Sequence, residues 1–180
     1  MQMTKYFGLT LCLLIAFLTS PAVAAEAPAT FKVGEFSFTR PAKWEWVEVS
    51  SSMRKAQLRI SDSQKKESAE VVFFEGMGGG TKANVDRWLT SFQEPKDKIS
   101  AKVEETTVAG KKVTFVQAEG TYLSGMPGGP KTPQANYALA GAIIENPAGP
   151  VFIRMTGPAA LVKSTLAEFK SFVESGVKGK

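Results

Sequence analysis

The sequence contains no histidine, and its single cysteine, Cys12, lies in an apolar segment near the start. Without imidazole, the usual proton shuttle at neutral pH and the commonest transition-metal ligand are both missing. Ser-His-Asp and Cys-His nucleophilic schemes and Cys/His zinc sites are thereby excluded. One thiol cannot form an intrachain disulfide, so packing must hold the fold. Long hydrophobic runs are also scarce. The Tyr6–Thr19 run falls short of the roughly 20 residues that a membrane-spanning helix needs. Charge of one sign is in only mild excess: 22 Lys and Arg stand against 17 Asp and Glu, a formal net charge of +5. That balance does not suggest nucleic-acid binding, which shows a clustered basic face.

What is present begins with a three-part pattern. Lys5 supplies a positive start, Tyr6–Thr19 an apolar stretch, Ser20-Pro21 a break, and Ala22-Val23-Ala24 a small-x-small site. This order predicts a cleaved secretory signal over residues 1–24, with cleavage after Ala24 or Ala25. Export to the periplasm or beyond, with no stable membrane span after cleavage, is the expectation. Residues 25–30 then read as a tether and 31–178 as a single domain. The 12 Phe, 3 Trp and 3 Tyr suit a packed globule rather than a disordered chain.

Period-two alternation predicts strands at Phe31–Thr39, at Trp44–Trp46, around Ala56, Leu58 and Ile60, and at Val71–Phe74. After Gly78-Gly79-Gly80, the residues Val85, Trp88, Leu89 and Phe92 fall at i, i+3, i+4 and i+7, the stripe of an amphipathic helix. Val103–Val108, a turn at Ala109-Gly110, and Lys111–Leu123 read as a hairpin. Leu123–Asn136 reads as a loop dense in Gly and Pro, and Tyr137–Glu145 and Val151–Thr156 as two further strands. Gly157-Pro158 opens a last helix with a stripe of Val162, Leu166, Phe169 and Val173. The order is four strands, a helix, four strands, a helix. Tight turns between neighbours predict an α+β fold with a largely antiparallel sheet.

Several ordered segments stand together: Gly79-Gly80 with Asn84, Arg87-Trp88 and Phe92; Gly120-x-Tyr122 with Met126-Pro127-Gly128-Gly129-Pro130; Gly141–Glu145; and Gly149–Pro158. In this order they resemble bacterial exported domains of the PsbP-like superfamily. The resemblance spans about Phe36 to Ser175. It implies an antiparallel sheet between helices, an α/β/α sandwich. The wider superfamily holds extrinsic subunits of the oxygen-evolving complex and a nuclear-import factor that binds a small GTPase. Those members are accessory binding proteins, so the resemblance implies binding rather than catalysis. Fold does not carry function, and no site residue is transferred.

Other motifs are weak. Ser52-x-x-Lys55 and Ser63-x-x-Lys66 match S-x-x-K, but they fall in strand and turn, where the pair does not share a face. Gly76–Lys82 lacks the G-x-x-x-x-G-K-[ST] spacing of a phosphate loop. Its helix N-terminus is expected to be capped by Thr81, with an anion contact as the alternative. Arg54, Lys55, Arg59, Lys65 and Lys66 are interleaved with Asp62, Glu67 and Glu70. They read as a solvated strand and turn, or as a weak contact for an anionic surface.

No catalytic, cofactor or metal residue is assigned. The candidate partner surface is Asn84, Arg87, Tyr122, Met126, Lys131, Gln134 and Tyr137. Asn84 and Arg87 flank Trp88, and Tyr122 and Tyr137 flank the Pro/Gly-rich loop, either as an aromatic lip or as packing residues. The leading expectation is a non-catalytic exported accessory domain that docks on a cell-envelope protein or complex. The alternative is a carrier of a small apolar or anionic ligand near Trp44, Trp46 or Trp88. A hydrolase with a carboxylate or Ser/Lys site ranks third.

Overall fold

Strand periodicity and turn residues partition most of the chain. The computed structural model describes residues 27–49, 51–125 and 128–179. The expected signal segment and Met126 lie outside the described residues. The elements run β1 (Thr30–Val33), β2 (Phe36–Thr39), β3 (Trp44–Trp46), β4 (Arg54–Asp62), β5 (Glu67–Glu75), α1 (Gly80–Leu89), β6 (Lys102–Val108), β7 (Lys111–Ser124), β8 (Thr132–Ile144), β9 (Val151–Pro158) and α2 (Ala159–Lys178). Seven strands form one sheet in the order β3-β4-β5-β9-β8-β7-β6, and every neighbouring pair is antiparallel. The fold is therefore α+β with a largely antiparallel sheet, as the tight turns require.

Three boundaries differ from the sequence reading. The expected strand over Phe31–Thr39 is a hairpin, with Thr30 opposite Thr39 and Val33 opposite Phe36. Gly34 makes the turn at φ 58, a conformation that glycine adopts without steric penalty. The expected tether at 25–30 joins the fold from Pro28 onward. The Arg40 Nε donates to the Pro28 carbonyl at 3.0 Å, and the Arg40 backbone N–H donates to Ala29 at 2.8 Å. The expected loop over Leu123–Asn136 is ladder at both ends, because Ser124 pairs with Thr132 and Leu123 with Pro133. Pro133 is tolerated because β9 pairs with β8 only from Tyr137 onward, leaving the start of β8 as an edge.

The two faces of the sheet are covered unequally. On one face lie α2 and the β1–β2 hairpin. Phe38, Trp44, Phe73, Phe169 and Val173 are buried in a single cluster there. Gly176 of α2 lets the Phe38 ring approach, since a Cβ would come within 2.2 Å of that ring. On the other face lies α1, with Trp88 buried against Leu139, Ile143, Val116 and Phe152.

The expected stripe of the first helix stops early. The helix ends at Leu89, and Phe92 instead pairs with Tyr122 in an isolated antiparallel bridge. Ten residues of helix reach about 15 Å. Seven strands at roughly 4.8 Å spacing extend about twice as far. One short helix cannot cover such a face, and the part over β4, β5 and β9 stays open.

Candidate functional site

The open part of the face displays every second residue of three strands. Paired rows run across it: Gln57, Val72 and Arg154 in one, and Arg59, Glu70 and Thr156 in the next. Gln57, Arg59, Glu70, Arg154 and Thr156 border a cleft of about 410 Å³ whose opposite wall carries Tyr122, Ser124, Gln134 and Tyr137. The end of the β7–β8 hairpin therefore leans over the face toward Arg54 and Arg59.

A bulge makes that lean. The β7–β8 register shifts between Gly120 and Tyr122, and an extra residue bends and twists a strand locally. Thr121 would lose its ladder partner, but its backbone N–H donates to both Glu94 carboxylate oxygens at 3.0 and 2.9 Å. The Gln93 N–H donates to the Thr121 carbonyl at 2.8 Å, and the Leu123 N–H donates to Ser91 at 2.7 Å. Gly120 makes room, because a Cβ there would meet Glu94 Oε2 at 2.8 Å. The hydrogen bond to the Thr121 side chain, then that to its backbone, holds the Glu94 carboxyl below its ordinary range. Tyr122 packs edge-on to Phe92 at 5.6 Å and stacks on Tyr137 at 6.4 Å.

The charges in the cleft are not equally satisfied. Arg54 donates to Glu70 at 2.7 Å and to Gln57 at 2.6 Å. The Gln57 amide also donates to Glu70, at 2.7 Å. Arg59 lies 3.8 Å from Glu45. Arg154 differs: among the described residues its guanidinium has no hydrogen-bond or ion-pair partner, and its Nε is buried. Only the Phe74 ring faces it, with the centroid 5.6 Å from Cζ. Glu70 is the only carboxylate lining this cleft among the described residues, so the two-acid pair of a glycosidase-type site is not assembled here.

Three of the expected surface residues, Tyr122, Gln134 and Tyr137, come together in the cleft wall. Lys131 sits in the hairpin connection and donates to the carbonyl of Gly125 at 3.3 Å. Met126 lies outside the described residues. Asn84 corrects the expectation, being 0% exposed. Its amide donates to the Gly78 and Gly80 carbonyls at 3.1 and 2.8 Å, and its carbonyl oxygen accepts from Arg87. It is a tie for the entry to α1, not a partner surface, and Arg87 stands apart from the cleft on the same helix.

Thr81 also differs from its expected capping role. Gly79 occupies the N-cap position with no side-chain bond, and the Thr81 hydroxyl donates to Glu145 at 2.8 Å. A protein carboxylate already attends that helix end.

Arg154 carries no motif signal of its own, although an arginine between Ile153 and Met155 in an otherwise apolar strand is a visible anomaly. Ser52 and Ser63 lie in turns beside and between β4 and β5, away from any helix. Among the described residues no group of three Cys, His, Asp or Glu side chains is placed to hold a metal, and no helix is long and apolar enough to cross a membrane.

No family model and no curated protein matches the chain. Among solved structures, the chain is similar to the solution structure of cyanobacterial PsbP (CyanoP) from Synechocystis sp. PCC 6803. The likeness has a TM-score of 0.49 and 12% sequence identity over 84% of this chain and 94% of that one. It is a likeness of fold alone.

Proposed function

We propose that the chain is a non-catalytic exported binding domain that docks on a protein of the cell envelope through the arginine–tyrosine cleft. The observation that carries this reading is Arg154, half-buried on a central strand and without a counter-ion among the described residues. An unpaired cation in such a place is unfavourable for folding alone. A docking partner that supplies the missing charge accounts for it. Arg and Tyr are also favoured anchors at interfaces. Export rests on the signal pattern over residues 1–24. Less supports a small-ligand carrier, because Trp44 and Trp88 are 1% and 2% exposed in filled cores and no tryptophan lines the cleft.

The test is site-specific photocrosslinking in the host cell. A photoreactive residue at Gln134 or Ser68, on opposite sides of the cleft, should yield the same discrete adduct. Glu168, exposed on α2, is the control position and should yield none. Adducts of equal pattern from all three positions, or from none, would remove the docking reading.

A further inference from the structure

The chemistry of the docked group follows from how the cleft is charged, given the docking reading above. Arg54 is matched by Glu70, and Arg59 is paired with Glu45. One positive charge, that of Arg154, is left over. A single planar guanidinium presents two parallel N–H donors and matches a carboxylate in two-point contact. A phosphate dianion would need further cations and would meet Glu70 on the same wall.

We infer that the cleft receives the side-chain carboxylate of an acidic segment of the partner, held by Arg154 and walled by Tyr122 and Tyr137. Phe74 lies against one side of the guanidinium and restricts how it turns. The Nε–H is buried, so the carboxylate would meet the two terminal nitrogens of the guanidinium in an end-on fork. The stacked tyrosine pair offers a flat wall on which the backbone of the segment can lie, with both hydroxyls at hand as further donors. No other carboxylate of this chain is placed to do the same for Arg154 among the described residues.

The test follows the Arg154 Nε–Hε resonance by NMR in the full chain as its host makes it. The probes are hexaglutamate with blocked termini, hexaglutamine with blocked termini, and inorganic phosphate. Hexaglutamate should move the Arg154 signal in a saturable way, and hexaglutamine should not. Arg154→Met should weaken hexaglutamate binding at least tenfold while still unfolding cooperatively. Arg154→Lys, which keeps the charge and loses the fork, should also weaken it. Tyr137→Phe is a second, milder variant and should weaken binding severalfold. Lys65→Gln, in the turn between β4 and β5 and outside the cleft, should leave affinity within twofold. Saturable binding of phosphate at Arg154 in preference to hexaglutamate would overturn the inference. So would a silent Arg154 signal with every probe, or hexaglutamate affinity unchanged in Arg154→Met. Each of these results leaves the docking reading to be judged by the crosslinks at Gln134 and Ser68.

Discussion

The Trp88 indole rests directly on the backbone of Gly141, where even a Cβ atom would lie 2.2 Å from the ring. Helix α1 is seated by this contact. Gly141 is also the neighbour of Arg154 across the β8–β9 ladder, so the same row carries the edge of the core and the base of the cleft. Gly141→Ala should lift Trp88 and overpack the site, costing about 1–3 kcal/mol. A lowered urea midpoint with a changed near-ultraviolet tryptophan signal is the expected result. Unchanged stability would mean that α1 is not held there.

Asn84 should behave as a structural residue. Its buried amide serves two carbonyls and its oxygen accepts from Arg87. Asn84→Ala would leave the Gly78 carbonyl and the Arg87 donor without their partner. The expected loss is about 1–3 kcal/mol. Amide exchange should accelerate first in Gly80–Leu89, and affinity for hexaglutamate should stay near that of the parent.

Arg154→Met should make the protein more stable by about 1 kcal/mol, since it removes a half-buried cation that has no counter-ion among the described residues. Equilibrium urea unfolding checks this. A gain in stability together with a loss of binding separates a residue kept for recognition from one kept for folding. A clear loss of stability would mean that its contact with Phe74 outweighs the missing counter-ion.

Acid sensitivity should trace in part to Glu104 and Glu94. Hydrogen bonds from Lys102 and then Lys170 lower the Glu104 carboxyl from its ordinary 4.5 to about 2. A carboxyl depressed in the folded state contributes stability that is complete above pH 4.5 and is lost as pH falls toward 2. Glu104→Gln should therefore be less stable at neutral pH and show a flatter decline across that window. The Lys170 Nζ, 2.6 Å from Glu104, links edge strand β6 to α2, so amide exchange should quicken along β6. The Glu94 carboxyl is lowered in the same sense. Acid protonation there should weaken its hold on Thr121 and loosen the bulge, moving the Tyr122 resonances before global unfolding.

Much of the layout was legible in residue spacing. Val85, Trp88 and Leu89 sit on one helical stripe, and Ala56, Leu58 and Ile60 on one strand face, because local periodicity dictates which side chains can share a face. The hairpin turn at Ala109-Gly110 was equally legible. Gly34 was not: a single glycine inside an alternating run does not announce a reversal. Nor was the length of β7 and β8, since Gly and Pro near a ladder end look like loop in sequence. Tyr122, Gln134 and Tyr137 stand out in the sequence because they flank a distinctive segment, and the structure brings them into one cleft wall. Arg154 is not legible in the sequence, because its lack of a partner exists only once β5, β8 and β9 are side by side.

The sequence by itself determined the alternation of strands and helices, the two amphipathic stripes, and the exclusion of imidazole and thiol chemistry beyond residue 12. These depend on residue identity and on contacts a few positions apart. Tertiary structure alone decided which face α1 leaves uncovered, how the bulge at Gly120 carries Tyr122 to the cleft, and which arginine goes unpaired. Each depends on strands far apart in the chain, Arg54 and Glu70 beside Arg154 and Tyr122. Charge balance at a site is a sum over neighbours in space, and that sum is not written in their order along the chain.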